Sequence, residues 1–441
     1  MTRLAAAAAA SLAAGQGLEA AEKAIRAGLI RLGAGVLEDL LAADGGYAGP
    51  RVACGCGHPA ELAGSRARSV DTVLGPVTIR RAWYHCDRCH HGLAPRDDQL
   101  GIAGQSMSPG LRKMTARAAA AVPFAAAARL VAELAGIVLT GRRAGRRAEA
   151  DGQAAAAVLE AEAAAIAGGT IAPLLPGAGP VPDMLYAAID GTGVPMVAAE
   201  TEGRAGKGED GRARTREVKM AAVFTQTALD EHGYPVRDPG SSSYLAAFAP
   251  APEFGILMAA EARRRGADRV RQLTILGDGA PWIWNLATQH FPAATQIVDL
   301  FHAREHVHDL ANLAGRLLAG HRDEWLAARL AELDAGDVPA LITAGQNLNF
   351  TGSLSRERDK ALHYFETNAH RMRYAWYRSL GLFTGSGVVE AGCRSVIGQR
   401  LKLSGMKWTQ PGATGILTLR CQQASNRWEQ IWRPHNQTPA A

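Results

Sequence analysis

The chain has 441 residues, of which 47% are hydrophobic and 20% charged, enough for two or three domains with buried cores. Its 48 basic and 42 acidic residues leave a net charge of +6 and a pI near 9.1, which favours a polyanionic partner. No run approaches the roughly 18 apolar residues of a membrane helix, which excludes a helical membrane span.

The opening MTRLAAAAAASLAAG reads as an alanine-rich helical terminus, since alanine makes a poor hydrophobic core for a secretory signal. Residues 18–41 repeat apolar positions at helical spacing and form an N-terminal helical segment, 1–50. Residues 51–100 follow as a zinc-ribbon-like module. Cys54 and Cys56 precede an alternating hairpin with Gly75-Pro76 at its tip, and Cys86 and Cys89 follow it. Two cysteine pairs on either side of a hairpin can converge tetrahedrally on a structural Zn2+. The tight Cys-x-Cys arm leaves open the replacement of one thiolate by His58, His85, His90 or His91.

Residues 101–167 read as a helical, helix-turn-helix DNA-binding region. Two helices, at 111–122 and 124–134, lead to a third that Thr140 caps and that carries Arg142, Arg143, Arg146 and Arg147. Guanidinium groups can hold phosphates or fork onto guanine. Gly141 and Gly145 in that helix each cost about 1 kcal/mol relative to alanine. A further helix is expected at 154–166. The Pro- and Gly-rich segment 168–183 then reads as a linker.

From residue 184 the pattern changes to strands. Runs at 184–194, 218–227, 244–248, 270–276 and 296–300, with a helix at 253–265, predict the first part of an α/β core, 184–302. Residues 202–216 lack an apolar anchor and read as a loop. Asp190 and Asp278 each close an apolar run, where open α/β sheets carry their chemistry, and Pro281 opens a helix after Asp278. Residues 303–380 are helical throughout and read as an all-helical insertion. In 381–441 a helix carries Glu390, with Arg394 four residues on, and a closing helix follows.

Two strand-borne aspartates and a helical glutamate supply the hard oxygen ligands that Mg2+ or Mn2+ prefer. Two such ions, roughly 3.5 to 4 Å apart, would activate an attacking hydroxyl and stabilise the departing one.

The segments AIDGTGVP, ILGDGAPWIW, VDLFHAREH and GSGVVEAGCRSVIGQRLKLSGMKW resemble bacterial insertion-sequence DDE transposases of the Kra-four type, relatives of the Mutator-like group, over about residues 54–432. The resemblance implies an RNase H-like catalytic domain, Mg2+-dependent strand cleavage and transfer, and a triad of Asp190, Asp278 and Glu390. It implies supporting roles for Asp299 and His302 and DNA contacts at Arg394, Arg400, Lys402, Lys407 and Trp408, with Trp408 stacking on an unpaired base. Terminal inverted repeats and target DNA would be the partners of a cytoplasmic, nucleoid-associated homo-oligomer without membrane attachment. Two other readings share these residues: a non-catalytic DNA-binding descendant, and a stand-alone nuclease of the same sheet type.

Overall fold

In the computed structural model, residues 12–172, 183–206 and 210–432 are described, with Ala6, Ala9 and Ala10. Much of the alanine-rich start and positions 173–182 of the expected linker therefore lie outside the described residues. The fold is mixed α/β. It divides into two compact units at Asp151/Gly152. Among the described residues no helix is long and apolar enough to cross a membrane.

In the first unit, helix α1 (Gly17–Ala42) lays Ala34, Leu37 and Leu41 on Val70, Val77 and Ile79 of a long hairpin, with Ile102 closing the cluster. The hairpin strands, β2 (Pro59–Thr72) and β3 (Gly75–His85), are flanked by β1 (Arg51–Ala53) and β4 (Gly92–Leu93) in the order β1-β2-β3-β4. The expected tip is correct: Thr72 pairs with Gly75, which has φ +94°. Short helix α2 (Pro95–Gln99) inserts Asp97 beneath the hairpin, where Arg68 and Arg81 reach it at 2.5 and 2.9 Å.

Helices α3 (Pro109–Ala121) and α4 (Phe124–Ala135) lie where the pattern places them. Ser108 caps α3 through Leu111 N–H at 3.2 Å. Gly136, at φ +73°, ends α4 in the left-handed conformation that glycine tolerates. The expected basic helix and the one at 154–166 are a single helix, α5 (Gly141–Ala167), capped by Thr140 at Arg143 N–H. Its glycines have a packing reason. A Cβ at Gly145 would stand 2.7 Å from the Phe124 ring, and one at Gly152 would stand 2.0 Å from the Gly415 carbonyl oxygen.

In the second unit the sheet order is β10-β9-β5-β6-β7, with β8 also on β6. Its strands are β5 (Met184–Pro195), β6 (Thr215–Leu229), β7 (Pro235–Arg237), β8 (Ser243–Ala247), β9 (Gln272–Gly277) and β10 (Thr295–Val298). β10, β9 and β5 run parallel, and β6 is antiparallel to β5, β7 and β8. Leu185 to Ile189 are fully buried, as expected of a central strand covered on both faces. Helix α6 (Ala251–Arg264) receives the second half of α5 through Ala163, Ile166 and Ala260.

Helix α7 (Pro281–His290) follows β9 with Pro281 in its first turn. Then α8 (Leu300–Leu313), α9 (Arg322–Ala335), α10 (Val338–Gln346), α11 (Ser353–Asn368) and α12 (Tyr374–Ser379) make the expected helical run. The Glu390 helix begins as α13 (Gly387–Gly392), passes through a π-helical stretch (Cys393–Gly398) and ends as α14 (Gln399–Leu401). Helix α15 (Gln410–Ala424) closes the described core.

Two carboxylates at a step in the sheet, and four cysteines on a hairpin

Asp190 does not end its strand, contrary to the sequence reading. β5 continues to Pro195, because β6 pairs with it along its whole length. The other neighbour stops sooner: β9 pairs with β5 only as far as Leu276 opposite Ala188. Side chains alternate along a strand, so Asp190 projects to the same face as Ala188, two residues beyond β9's last partner. Asp278, two residues past Leu276, arrives beside it. A step in the sheet thus brings the two carboxylates together.

Burial raises the Asp190 carboxyl above its ordinary range, and the Asp278 charge adds to the effect. The Gly191 N–H, the Cys393 thiol and His302 oppose it. A carboxyl with a raised pKa in the folded state stabilises the fold most below its unfolded pKa, and that contribution is lost as pH rises through the folded value. The ionised Asp190 is therefore a destabilising charge at neutral pH. Asp190→Asn keeps an acceptor for Gly191 N–H, now 2.6 Å from Asp190 Oδ1. The variant should melt at a higher temperature than the wild type at pH 7 in metal-free buffer, with the gain vanishing near pH 3. A thermal-shift series across pH measures this, and an unchanged melting temperature at pH 7 would contradict it.

Asp278 sits in a tight turn: its Oδ1 accepts Ala280 N–H at 2.9 Å, and Gly279 follows at φ +100°. Tyr364, from α11, covers that turn. Its hydroxyl donates to the Asp278 carbonyl at 3.0 Å, and a Cβ on Gly279 would stand 2.6 Å from its ring. Burial, with the charges of Asp278, Asp299 and Glu305, raises the Tyr364 pKa, so the hydroxyl remains a donor. His306 stacks on Tyr364 with ring centres 3.8 Å apart, and His302 meets His306 edge-on at 4.9 Å. Burial, then His302, lowers the His306 pKa and favours its neutral form. Tyr364→Phe removes one hydrogen bond worth about 1 kcal/mol while keeping the ring. The expected result is a melting temperature lower by about 2–4 °C in a thermal-shift assay; no change would mean that the bond adds nothing to water's.

Asp299 is fully engaged in holding backbone. One oxygen caps α8 through His302 N–H at 2.6 Å, and the other accepts Ser386 N–H at the start of the Glu390 helix. The Ser386 hydroxyl in turn donates to Glu390 Oε1 at 2.9 Å. Glu390 is exposed, one turn before Cys393, whose thiol donates to Met220 Sδ at 3.7 Å. Close approach of this helix depends on Gly392, where a Cβ would meet Met220 and Tyr244 at 2.8 Å. The three acids do not form a closed ligand set. Among the described residues, only one group of three or more His, Cys, Asp or Glu residues keeps all its donor atoms within 4.8 Å of one another, and it is the four cysteines.

Those cysteines are Cys54, Cys56, Cys86 and Cys89, on the two knuckles that flank the hairpin. The sulfurs of Cys54 and Cys89 are 3.5 Å apart and those of Cys56 and Cys86 3.6 Å apart. Four thiols in this arrangement could hold a metal ion of the zinc type without a histidine. Backbone N–H groups of Cys89 and Arg88 pull the Cys86 thiol down to about 6, despite its desolvation. Although the His91 N–H favours its thiolate, the Cys56 and Cys54 thiols push Cys89 up to about 12. His58 Nδ1 lies 3.8 Å from Cys56 Sγ, next to the cluster and outside it.

The structure divides the basic residues read as DNA contacts. Arg400 and Trp408 are buried, with the Arg400 guanidinium 5.1 Å from the Trp408 ring centre and Trp408 Nε1 donating to the Leu401 carbonyl at 3.0 Å. They are core residues, so the expected stacking of Trp408 on a base is corrected. Arg143 pairs with Asp71 at 2.6 Å and Arg147 with Asp151 at 2.8 Å, so both brace the first unit. Arg142, Arg146, Arg394, Lys402 and Lys407 remain on the surface, where Lys402 touches the Thr192 hydroxyl. Tyr364, His306, Ser386 and Cys393 were missed by sequence reasoning. Of these, Ser386 and Cys393 carried a signal, lying four residues before and three after Glu390 on one helix face.

No protein-family profile matches this chain, and a search of curated proteins finds no relative.

Proposed function

We propose that the chain is a DNA transposase with an RNase H-like catalytic domain, in which residues 303–380 form a helical insertion and Asp190, Asp278 and Glu390 form the acidic triad. The observation that carries this reading is the step in the sheet that brings Asp190 beside Asp278, under the helix that bears Glu390. The donor set is all oxygen, which fits Mg2+ or Mn2+ and not a softer metal. Bound there, the ions would activate an attacking hydroxyl and stabilise the departing oxygen of a phosphodiester. The chain's own part is to hold the carboxylates. Tyr364 and Ala280 fix the Asp278 turn, the Gly191 N–H orients Asp190, and Asp299 with Ser386 anchors the start of the Glu390 helix.

The four-cysteine hairpin and α3 to α5 are proposed to recognise terminal repeats, through Arg142 and Arg146 on the surface and a zinc-stapled ribbon. Association with the nucleoid and assembly into homo-oligomers on paired ends belong to the same proposal. One observation favours a non-catalytic DNA-binding protein instead: the three acids are not gathered within 4.8 Å. A single assay separates the readings. The protein is mixed with Mg2+ and labelled DNA carrying the sequences that flank its gene. End-specific cleavage and joining is expected; binding without cleavage would support the non-catalytic reading, and unspecific nicking the stand-alone nuclease.

A further inference from the structure

Four aromatic side chains of the described residues stand among the exposed large hydrophobics: Tyr47 at 65%, Phe301 at 62%, Tyr234 at 60% and Trp376 at 44%. Three of them carry a polar atom that water can satisfy. Phe301 carries none, so its exposure has a cost that nothing in its own chemistry offsets. It also has the most particular position. It lies between Asp299, which anchors both α8 and the Glu390 helix, and His302, whose ring meets His306 and Tyr364 over the Asp278 turn.

The ring is held in place and not left loose. Its edge lies on Gly385, where a Cβ would stand 3.1 Å from Phe301 Cε2. The Arg304 guanidinium flanks it at 5.9 Å from the ring centre and is fixed by Asp334 at 2.6 Å. A second arginine, Arg378, meets the same Asp334 at 3.3 Å, so the one carboxylate that holds Arg304 is shared between two guanidinium groups. An exposed apolar ring beside the Arg304 guanidinium, packed on the Gly385 that also adjoins Asp299, matches a nucleotide with its base unstacked and its phosphate nearby.

We propose that Phe301 is a stacking platform for an unpaired DNA base next to the phosphodiester that the carboxylates address, an inference that rests on the DNA-processing reading above. It assigns to Phe301 the contact that the sequence suggested for the buried Trp408. Base stacking on an aromatic side chain is worth about 1–3 kcal/mol, or roughly a 5- to 150-fold change in affinity.

The test uses the full-length metal-loaded protein and short DNA duplexes with a single-stranded 3′ overhang containing 2-aminopurine, in Ca2+ so that no cleavage is needed. Wild type should quench the probe at one overhang position. Phe301→Ala should lose that quenching and bind the overhang at least fivefold more weakly, Phe301→Trp should restore both, and all three should melt alike because the ring is exposed. Affinity for blunt duplex should not change. Equal quenching by wild type and Phe301→Ala, or no overhang binding by wild type, would overturn the assignment. Phe301-dependent quenching in a protein that never cuts DNA would uphold it while the transposase reading failed.

Discussion

Replacing Asp278 by asparagine should reduce DNA cleavage by about 1,000-fold or more and leave both DNA binding and melting temperature nearly unchanged. The reason lies in how the side chain is used. Its Oδ1 holds the turn by accepting Ala280 N–H, and the amide oxygen of asparagine can accept the same bond. The negative charge, by contrast, is not needed for that bond, and the basic neighbour it acts on is His306, whose pKa burial lowers toward the neutral form. What asparagine removes is the capacity to bind a hard cation, whose loss from a phosphoryl-transfer site withdraws several kcal/mol of transition-state stabilisation at about 1.4 kcal/mol per decade of rate. Cleavage of labelled DNA, gel-shift binding and thermal shift, measured on the same preparations, check the three parts. Equal loss of cleavage and binding would make Asp278 a structural residue of the turn.

Stripping metal from the four cysteines should unfold the two knuckles that carry them, while the far end of the hairpin stays packed on α1. Among the described residues, the apolar cluster around Cys54 and Cys86 consists of Ala60, Ala82 and Tyr84, with Val52 and Leu93 partly buried beside them. Such a cluster is too small to offset the ordering of its loops, whereas a structural zinc contributes about 10–16 kcal/mol at neutral pH. Cys86→Ser, or a strong chelator, should therefore abolish metal binding, expose the remaining thiols to a colorimetric thiol reagent and weaken DNA binding. Elemental analysis should find one zinc per wild-type chain; folded knuckles with no metal would remove the argument.

The pH dependence has a definite sign. The Cys86 pKa is lowered in the fold to about 6 from an ordinary value near 9, so its contribution is present above 9 and lost as pH falls through 6. Cys89, raised to about 12, resists forming a thiolate beside the others until a cation is bound. Zinc should accordingly be held at pH 7.5 and released on acidification, because each ligand must take up a proton to leave.

Much of this was legible in the chain. Strands appeared as β-branched or alanine-rich apolar runs, and the cysteine spacing announced the hairpin. What escaped depended on partners distant in sequence. Gly191 after Asp190 looks like a turn, yet β6, some thirty residues on, keeps β5 extended past it. Gly152 looks like a helix break, yet α5 runs through it because the Gly415 backbone packs there. Arg400 and Trp408 look like a basic aromatic surface, yet they stack on each other inside the fold. Short β7 follows the turn at Asp230, whose side chain accepts the N–H groups of His232 and Tyr234, a stretch that reads as plain loop.

The brevity of β9 has a design consequence. Its six residues leave the far end of β5, from Ile189 to Pro195, without a β9 partner for about 20 Å, where Lys402 reaches the Thr192 hydroxyl and the Trp408 N–H donates to the Pro195 carbonyl. Two extra residues in β9 would carry its ladder forward, fill the notch beside Asp190 and push Asp278 some 7 Å along the strand axis. The vacancy left by a strand that stops early is thus a component of the site in its own right, and its length is as much a constraint on the chain as the identity of the acids.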